Sequence, residues 1–224
     1  MSFSINFKTY TIVKPIILDN LNNQLKSIKL NFSKYIQNSL QIIANSSNLM
    51  FLDIEPTSKL GILPGDNTTY YIPHIRELAL VLISTTDFIE SNQTNILEKI
   101  KIYTFLDIKN YNTLMNTFLE IYNQWNAPTL VAHNGNNFDF IILKAHCHRY
   151  LPTEKTKKLK FKFIDTLIDC FKAKYSGILK IQTLTNSNLF KHYINSSDEL
   201  LSKLHTAEAD TLLLLKWYKQ HLKL

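Results

Sequence analysis

An α/β domain, with a central mixed β-sheet flanked by helices, is the fold class predicted for this chain. Three observations predict it. Strand-like apolar runs crowd the first half, helical periodicities crowd the second, and the middle alternates the two, which suits layers better than a sandwich or a bundle. The 224 residues are 45% hydrophobic and 12% aromatic, enough to bury one sizeable core. Finally, "FLDIEPTS" (51–58) is an apolar run that ends in two carboxylates spaced two apart. In a strand, residues i and i+2 point the same way. Asp53 and Glu55 therefore share a face, where they repel each other unless a basic partner or a metal ion compensates.

The elements follow in chain order. "INFKTYTIV" (5–13) is a candidate strand. In 21–44, Leu25, Ile28, Phe32, Ile36, Leu40 and Ile43 recur at helical spacing, with lysines on the other face, which predicts an amphipathic helix. "NSSN" (45–48) breaks that pattern and places a boundary between an N-terminal extension, 1–47, and a main domain, 48–224. "LMFLDI" is a buried strand, 59–74 a turn-rich loop, "IRELALVLIS" a second strand and "KIYTFLD" a third. "YNTLMNTFLEIYNQW" has helical periodicity. "TLVAHN" is a short strand entering the helix "NFDFIILKAHCHRYL", and "LKFKFIDTLIDCFKA" is a strand giving way to a helix. The stretches 178–194 and 196–204 are predicted helical, and "AEADTLLLLKWYKQHL" is the last helix.

A formal charge of +7 favours an anionic partner such as nucleic acid. Two cysteines, Cys147 and Cys170, argue against a structural zinc site or a disulfide framework and for a reducing compartment. No apolar run approaches a membrane span and the first residues lack a signal-peptide layout, so the expectation is a soluble protein, cytoplasmic or nuclear, with no membrane partner.

Two further stretches carry chemistry-bearing residues. In "LVAHNGNNFDF" (130–140) a strand ends at His133-Asn134-Gly135, where glycine permits a sharp turn, and Asp139 lies early in the next helix. In "HTAEADTLLLLKW" (205–217), Thr206 is a candidate N-cap, His205 precedes the helix and Asp210 lies about one turn inside it. Taken singly, each has a bland explanation. Asp139 is a carboxylate that a helix dipole favours, His205 a surface loop histidine, and Asp210 a helix-surface acid. His146 and His148 are two apart on a helix and point away from each other, so "HCHRY" is no metal site.

Taken in order, the three stretches resemble the DEDDh 3′→5′ exonucleases. They are most similar to the three-prime repair (TREX-type) exonucleases, then to bacterial proofreading subunits. The resemblance covers about 49–222, with "IRELALVLI" and "FIDTL" as smaller matches. It implies an RNase H-like exonuclease fold, three antiparallel strands followed by parallel ones. It also implies that Asp53, Glu55, Asp139 and Asp210 hold two Mg²⁺ ions, with Mn²⁺ able to substitute, since hard cations take carboxylate oxygens. His205 would be the general base, because a histidine titrates near neutral pH. The implied partners are single-stranded DNA or the 3′ ends of duplex DNA, with RNA as the alternative substrate, and the product is a 5′-mononucleotide. Relatives often dimerise through a sheet edge, so a homodimer is compatible with the resemblance.

Substrate-binding candidates are Thr57 and Asn134, beside the motifs, and Lys157 and Lys158 in the basic stretch "EKTKKLKFK" (154–162). That stretch is equally a solvated loop entering a strand. One departure from the family stands out. After Glu55 come Pro56, Thr57 and Ser58, where relatives have a small residue or Thr, then Thr or Ser, then Gly. Pro56 has no N–H and a fixed φ, which alters the turn that approaches the terminal nucleotide in relatives. A catalytically silent nucleic-acid-binding module is the rival from another class, and the five filled positions argue against it.

Overall fold

The computed structural model describes residues 33–62, 70–194 and 198–222. The expected strand at 5–13, and Leu25, Ile28 and Phe32 of the expected first helix, lie outside them. Helix α1 (Ser33–Ala44) leads into β1 (Asn48–Pro56). A two-residue hairpin, β2 (Gly61–Ile62) and β3 (Tyr70–Tyr71), falls within the expected loop and precedes β4 (Ile75–Ser84), α2 (Thr85–Glu90) and β5 (Lys101–Phe105). Then come α3 (Tyr111–Gln124), β6 (Thr129–Ala132), α4 (Asp139–Tyr150), α5 (Thr153–Thr156), β7 (Phe163–Asp165) and α6 (Thr166–Tyr175). Helices α7 (Asn186–Tyr193) and α8 (Ala207–Leu222) complete the described chain.

The five-stranded sheet has the order β5-β4-β1-β6-β7. β5, β4 and β1 are antiparallel, while β6 and β7 run parallel to β1, so the sheet is mixed and helices flank it. β1 is central, and its side-chain parity decides which helix each residue meets. Met50, Leu52 and Ile54 pack in one core with Leu114, Met115, Phe118, Ile142 and Leu143 of α3 and α4. Leu49 and Phe51 pack in the other with Leu213, Trp217 and Tyr218 of α8. Ile43 of α1 is buried in that second core, and α1 packs against α6. Full burial of side chains this large contributes about 1.5–3 kcal/mol each.

One expected element is shorter than its periodicity implies. Of 178–194, only Asn186–Tyr193 is helical. The Thr185 side chain accepts from Asn188 N–H and caps the helix late. Upstream, Gly177 takes a left-handed φ of 73° after α6, and Leu179 N–H returns to the Ala173 carbonyl. The apolar spacing there serves an irregular segment packed on the core, not a helix face. Likewise 199–203 forms a 3₁₀ turn, Glu199–Lys203, capped by Asp198.

Candidate active site

The odd-numbered parity of β1 that faces α8 continues through Asp53 to Glu55, beyond Phe51. Those two acids therefore point at the first turns of α8, where Asp210 sits. One carboxylate oxygen from each of Asp53, Glu55 and Asp210 can lie within 4.8 Å of the other two. Asp53 pairs across the ladder with Ala79, whose small side chain adds no bulk opposite the carboxylate. Glu55 is opposite Glu77, and Arg76 bridges them, 3.8 Å from the Glu55 Oε2 and 3.4 Å from the Glu77 Oε1.

Asp139 begins α4 and is buried; its Oδ1 accepts the Ile54 backbone N–H at 2.9 Å, which holds it against β1 between the first two acids. The turn before it is built differently from expectation. Its left-handed residue is Asn134 (φ 64°), a conformation asparagine tolerates. Gly135 is needed for space, since a Cβ there would lie 2.6 Å from the Phe140 ring and 2.8 Å from the Ala132 Cβ. Asp165 accepts the N–H groups of Asn134, Asn136 and Leu167, so one carboxylate organises both the turn and the start of α6. His133 bridges from the Thr166 hydroxyl to the Leu184 carbonyl, and burial lowers its pKa.

His205 lies outside α8 and is exposed, with a left-handed φ of 68°. Its backbone N–H donates to Asp210 Oδ2 at 3.1 Å, and the Thr206 hydroxyl accepts from Ala209 N–H as a helix cap does. Thr57 follows a register shift at Glu55/Pro56, where the ladder asks no N–H of the proline. Its N–H and hydroxyl both donate to the His74 carbonyl, at 2.9 and 3.3 Å. Beside it a groove of about 520 Å³ is lined by Glu55, Pro56, Ser58, Lys59, Arg76 and Phe138, among others. Lys157 and Lys158 are exposed just past α5, and Lys157 pairs with Glu154, not with the acids. The structure thus gathers Asp53, Glu55, Asp139, Asp210 and His205 at one end of the sheet, with Asn134 on the turn before Asp139 and Thr57 just beyond Glu55. Glu77, Arg76 and Asp165 were not singled out from the sequence, because only strand pairing and turn geometry connect them to the motifs.

The electrostatics are those of crowded acids. Asp53 keeps some solvent contact, yet burial raises its pKa well above the carboxylate range, and the charges of Asp139, Asp210, Glu55 and Glu77 add to that. Burial raises Asp139 to about 7, against the lowering effect of the Ile54 N–H. Asp210 and Glu55 are also raised, first by burial; the His205 N–H partly offsets the former, and Arg76 the latter. Carboxylate oxygens this close and this disfavoured as anions fit a divalent cation, which supplies the missing positive charge.

A stability consequence follows for Asp139. Its folded pKa lies above the unfolded value, so stability is full below about 4 and is lost as pH rises to about 7. The melting temperature in EDTA is expected to fall across that window. Asp139→Asn keeps an acceptor for Ile54 N–H and removes the charge. At neutral pH in EDTA it should melt several degrees higher, at about 2–4 °C for each kcal/mol of strain relieved. A pH-independent melting temperature in EDTA, unchanged by the substitution, would contradict the crowding.

No protein-family model and no curated protein matches this sequence. Solved structures do match. The zinc-bound E. coli exonuclease I–single-stranded DNA complex aligns with TM-score 0.52 and 15% identity, over 78% of this chain and 40% of that one. Another exonuclease I structure gives TM-score 0.51 and 14% identity over the same shares, and a complex with a dA16 oligonucleotide gives 0.50. The likeness is one of fold. It is the exonuclease fold, α/β with a mixed five-stranded sheet, and this chain spans about 40% of the exonuclease I chains.

Proposed function

We propose that this chain is a metal-dependent 3′→5′ exonuclease of the DEDDh type, with TREX-type motifs. It acts on single-stranded or frayed DNA ends and releases 5′-mononucleotides. The observation that carries this reading is the meeting of Asp53 and Glu55 from β1 with Asp210 from α8, Asp139 being tied to Ile54 beside them. The exonuclease fold, the single-stranded DNA in the exonuclease I complexes and the charge of +7 support a DNA strand as substrate.

Asp53, Glu55, Asp139 and Asp210 would hold the ions, Mg²⁺ with Mn²⁺ as substitute. When bound, they supply Lewis acidity to the phosphate and lower the pKa of a bound water. The chain's own residues do the rest. His205 takes the proton of the attacking water, from a loop position free of the helix register. Asp139 is anchored beside Asp53 and Glu55 by the Ile54 backbone N–H. Arg76 and Lys59 bring positive charge to the groove beside Glu55, where a phosphate backbone can lie.

Purified protein given 3′- and 5′-labelled DNA and RNA single strands, with Mg²⁺, Mn²⁺ or EDTA, tests the reading. A ladder receding from the 3′ end of DNA, present with metal and absent in EDTA, is the expected result. Preference for RNA would correct the substrate, and no digestion of any strand in either metal would overturn the reading.

Lys157 and Lys158 guide the strand towards the site in this proposal. Replacing both with glutamine is expected to raise KM several-fold and leave kcat nearly unchanged. The salt slope of single-strand binding should fall by about 0.7 for each phosphate that the lysines no longer neutralise. An unchanged slope returns the segment to a solvated loop.

A further inference from the structure

Glu77 belongs to no motif, yet it faces the site. It sits directly opposite Glu55 on β4 and shares the face that Val81 and Ile83 turn toward the core containing α8. Its Oε1 is held by Arg76, and its Oε2 accepts the Ala207 backbone N–H at 3.4 Å. Ala207 is the first residue of α8, so this N–H has no partner within the helix. Two residues earlier is His205, in a left-handed conformation that a non-glycine residue keeps only where its surroundings over-determine it.

The other bonds of this segment do not do the same job. The His205 N–H is bound by Asp210, itself one of the acid cluster. Thr206 bonds within its own segment, to the Lys203 carbonyl and the Ala209 N–H. Glu208 reaches Thr104 on β5, at the edge of the sheet. Among these, the Glu77 bond alone ties the segment's backbone to the strand that pairs with Asp53 and Glu55. We propose that Glu77 is a positioning residue, whose carboxylate anchors the first turn of α8 to β4 and thereby sets where His205 stands relative to the Asp53–Glu55 pair. Arg76 orients that carboxylate by holding its other oxygen. The inference rests on the exonuclease reading for its catalytic consequence, though not for the anchor itself.

The test combines amide exchange with a double-mutant cycle. Ala207 N–H exchange is measured in wild type, Glu77→Gln and Glu77→Ala, beside kcat, KM and Mn²⁺ affinity by calorimetry. Glu77→Gln retains an oxygen for the same bond, so it should keep Ala207 protection and stay within about threefold of wild-type kcat. Glu77→Ala should lose at least tenfold in protection and about 10–100-fold in kcat, the scale of a misplaced reacting group, at unchanged KM and Mn²⁺ affinity. In a His205→Ala background, Glu77→Ala should cost little more, because the group it positions is gone. If the alanine variant does not fold, Glu77→Thr takes its place, being too short to reach Ala207. Unchanged Ala207 exchange, full additivity with His205→Ala, or a loss of Mn²⁺ affinity in both the Gln and Ala variants would each overturn the proposal. Should wild type degrade no strand, the exonuclease reading falls, and the exchange arm still decides the anchor.

Discussion

Asp53→Ala and Asp210→Ala are each expected to lower kcat by more than about 10²-fold, without unfolding the domain. That is the scale reached when groups that merely orient a metal's ligands are removed, so a ligand itself should cost at least as much. The two residues come from different elements, β1 and α8, and are brought within one cation's reach only by the fold. Both pKa values are raised, first by burial, and the neighbouring acids add to it for Asp53, so the anionic form of each is disfavoured where it stands. Removing either relieves that repulsion. The same variants should therefore melt higher than wild type in EDTA, and should gain less on addition of Mn²⁺, because ligand binding stabilises only the state that binds. Digestion assays with Mg²⁺ or EDTA, beside melting curves in both buffers, read the two effects separately. Full wild-type activity in EDTA, or an alanine variant that keeps its activity, would remove the metal site from the mechanism.

How far the sequence foretells such a site depends on the kind of signal. β1 and β4 were legible as short apolar runs, α3 by its helical periodicity and α8 as an apolar stretch after a candidate N-cap, and their observed bounds fall within a few residues of those readings. Asp53 and Glu55 were legible for an electrostatic reason, since a buried strand does not end in two acids on one face without compensation. The strand order was not legible from periodicity; it came with the family resemblance. Glu77 was invisible because its role comes from the Glu55–Glu77 register, and register belongs to the pairing of residues 22 apart on two strands, not to either strand alone. Gly135 was assigned a turn for its backbone freedom, whereas the structure needs its missing side chain beside Phe140. The helix expected over 178–194 is confined to Asn186–Tyr193, because apolar residues upstream, such as Leu179, reach the core from an irregular segment. There the cap at Thr185 and the left-handed Gly177 decided the outcome. Of these misses only Glu77 turns on a long-range contact; Gly135 meets Phe140 and Ala132 close by in sequence, and the helix of 178–194 is limited by its own cap.

His205→Ala is expected to cost roughly 10²–10⁴-fold in kcat, the range for a positioned general base. His205 stands beside the acids, its charge lowering the pKa of Asp210 and of Glu55, but outside the register of α8. Residues five apart on a helix lie about 140° apart around its axis, so a helical His205 could not share a side with Asp210. It escapes that constraint because α8 begins only at Ala207. Its hydrogen bond to the acid cluster runs through its backbone N–H to Asp210, which any replacement but proline retains. Metal affinity and single-strand affinity should therefore barely change, while the chemical step slows. Alanine is less comfortable than histidine at a φ of 68°, so His205→Asn is the cleaner variant: asparagine tolerates the left-handed region and cannot serve as a base at neutral pH. A base must be unprotonated to act, so wild-type activity should rise with pH along an acidic limb that both variants lack. Calorimetric titration with Mn²⁺ and a pH–rate profile give the two readouts. If either variant loses metal affinity while the acidic limb survives, His205 is a ligand, another group is the base, and the assignment of the third motif is wrong.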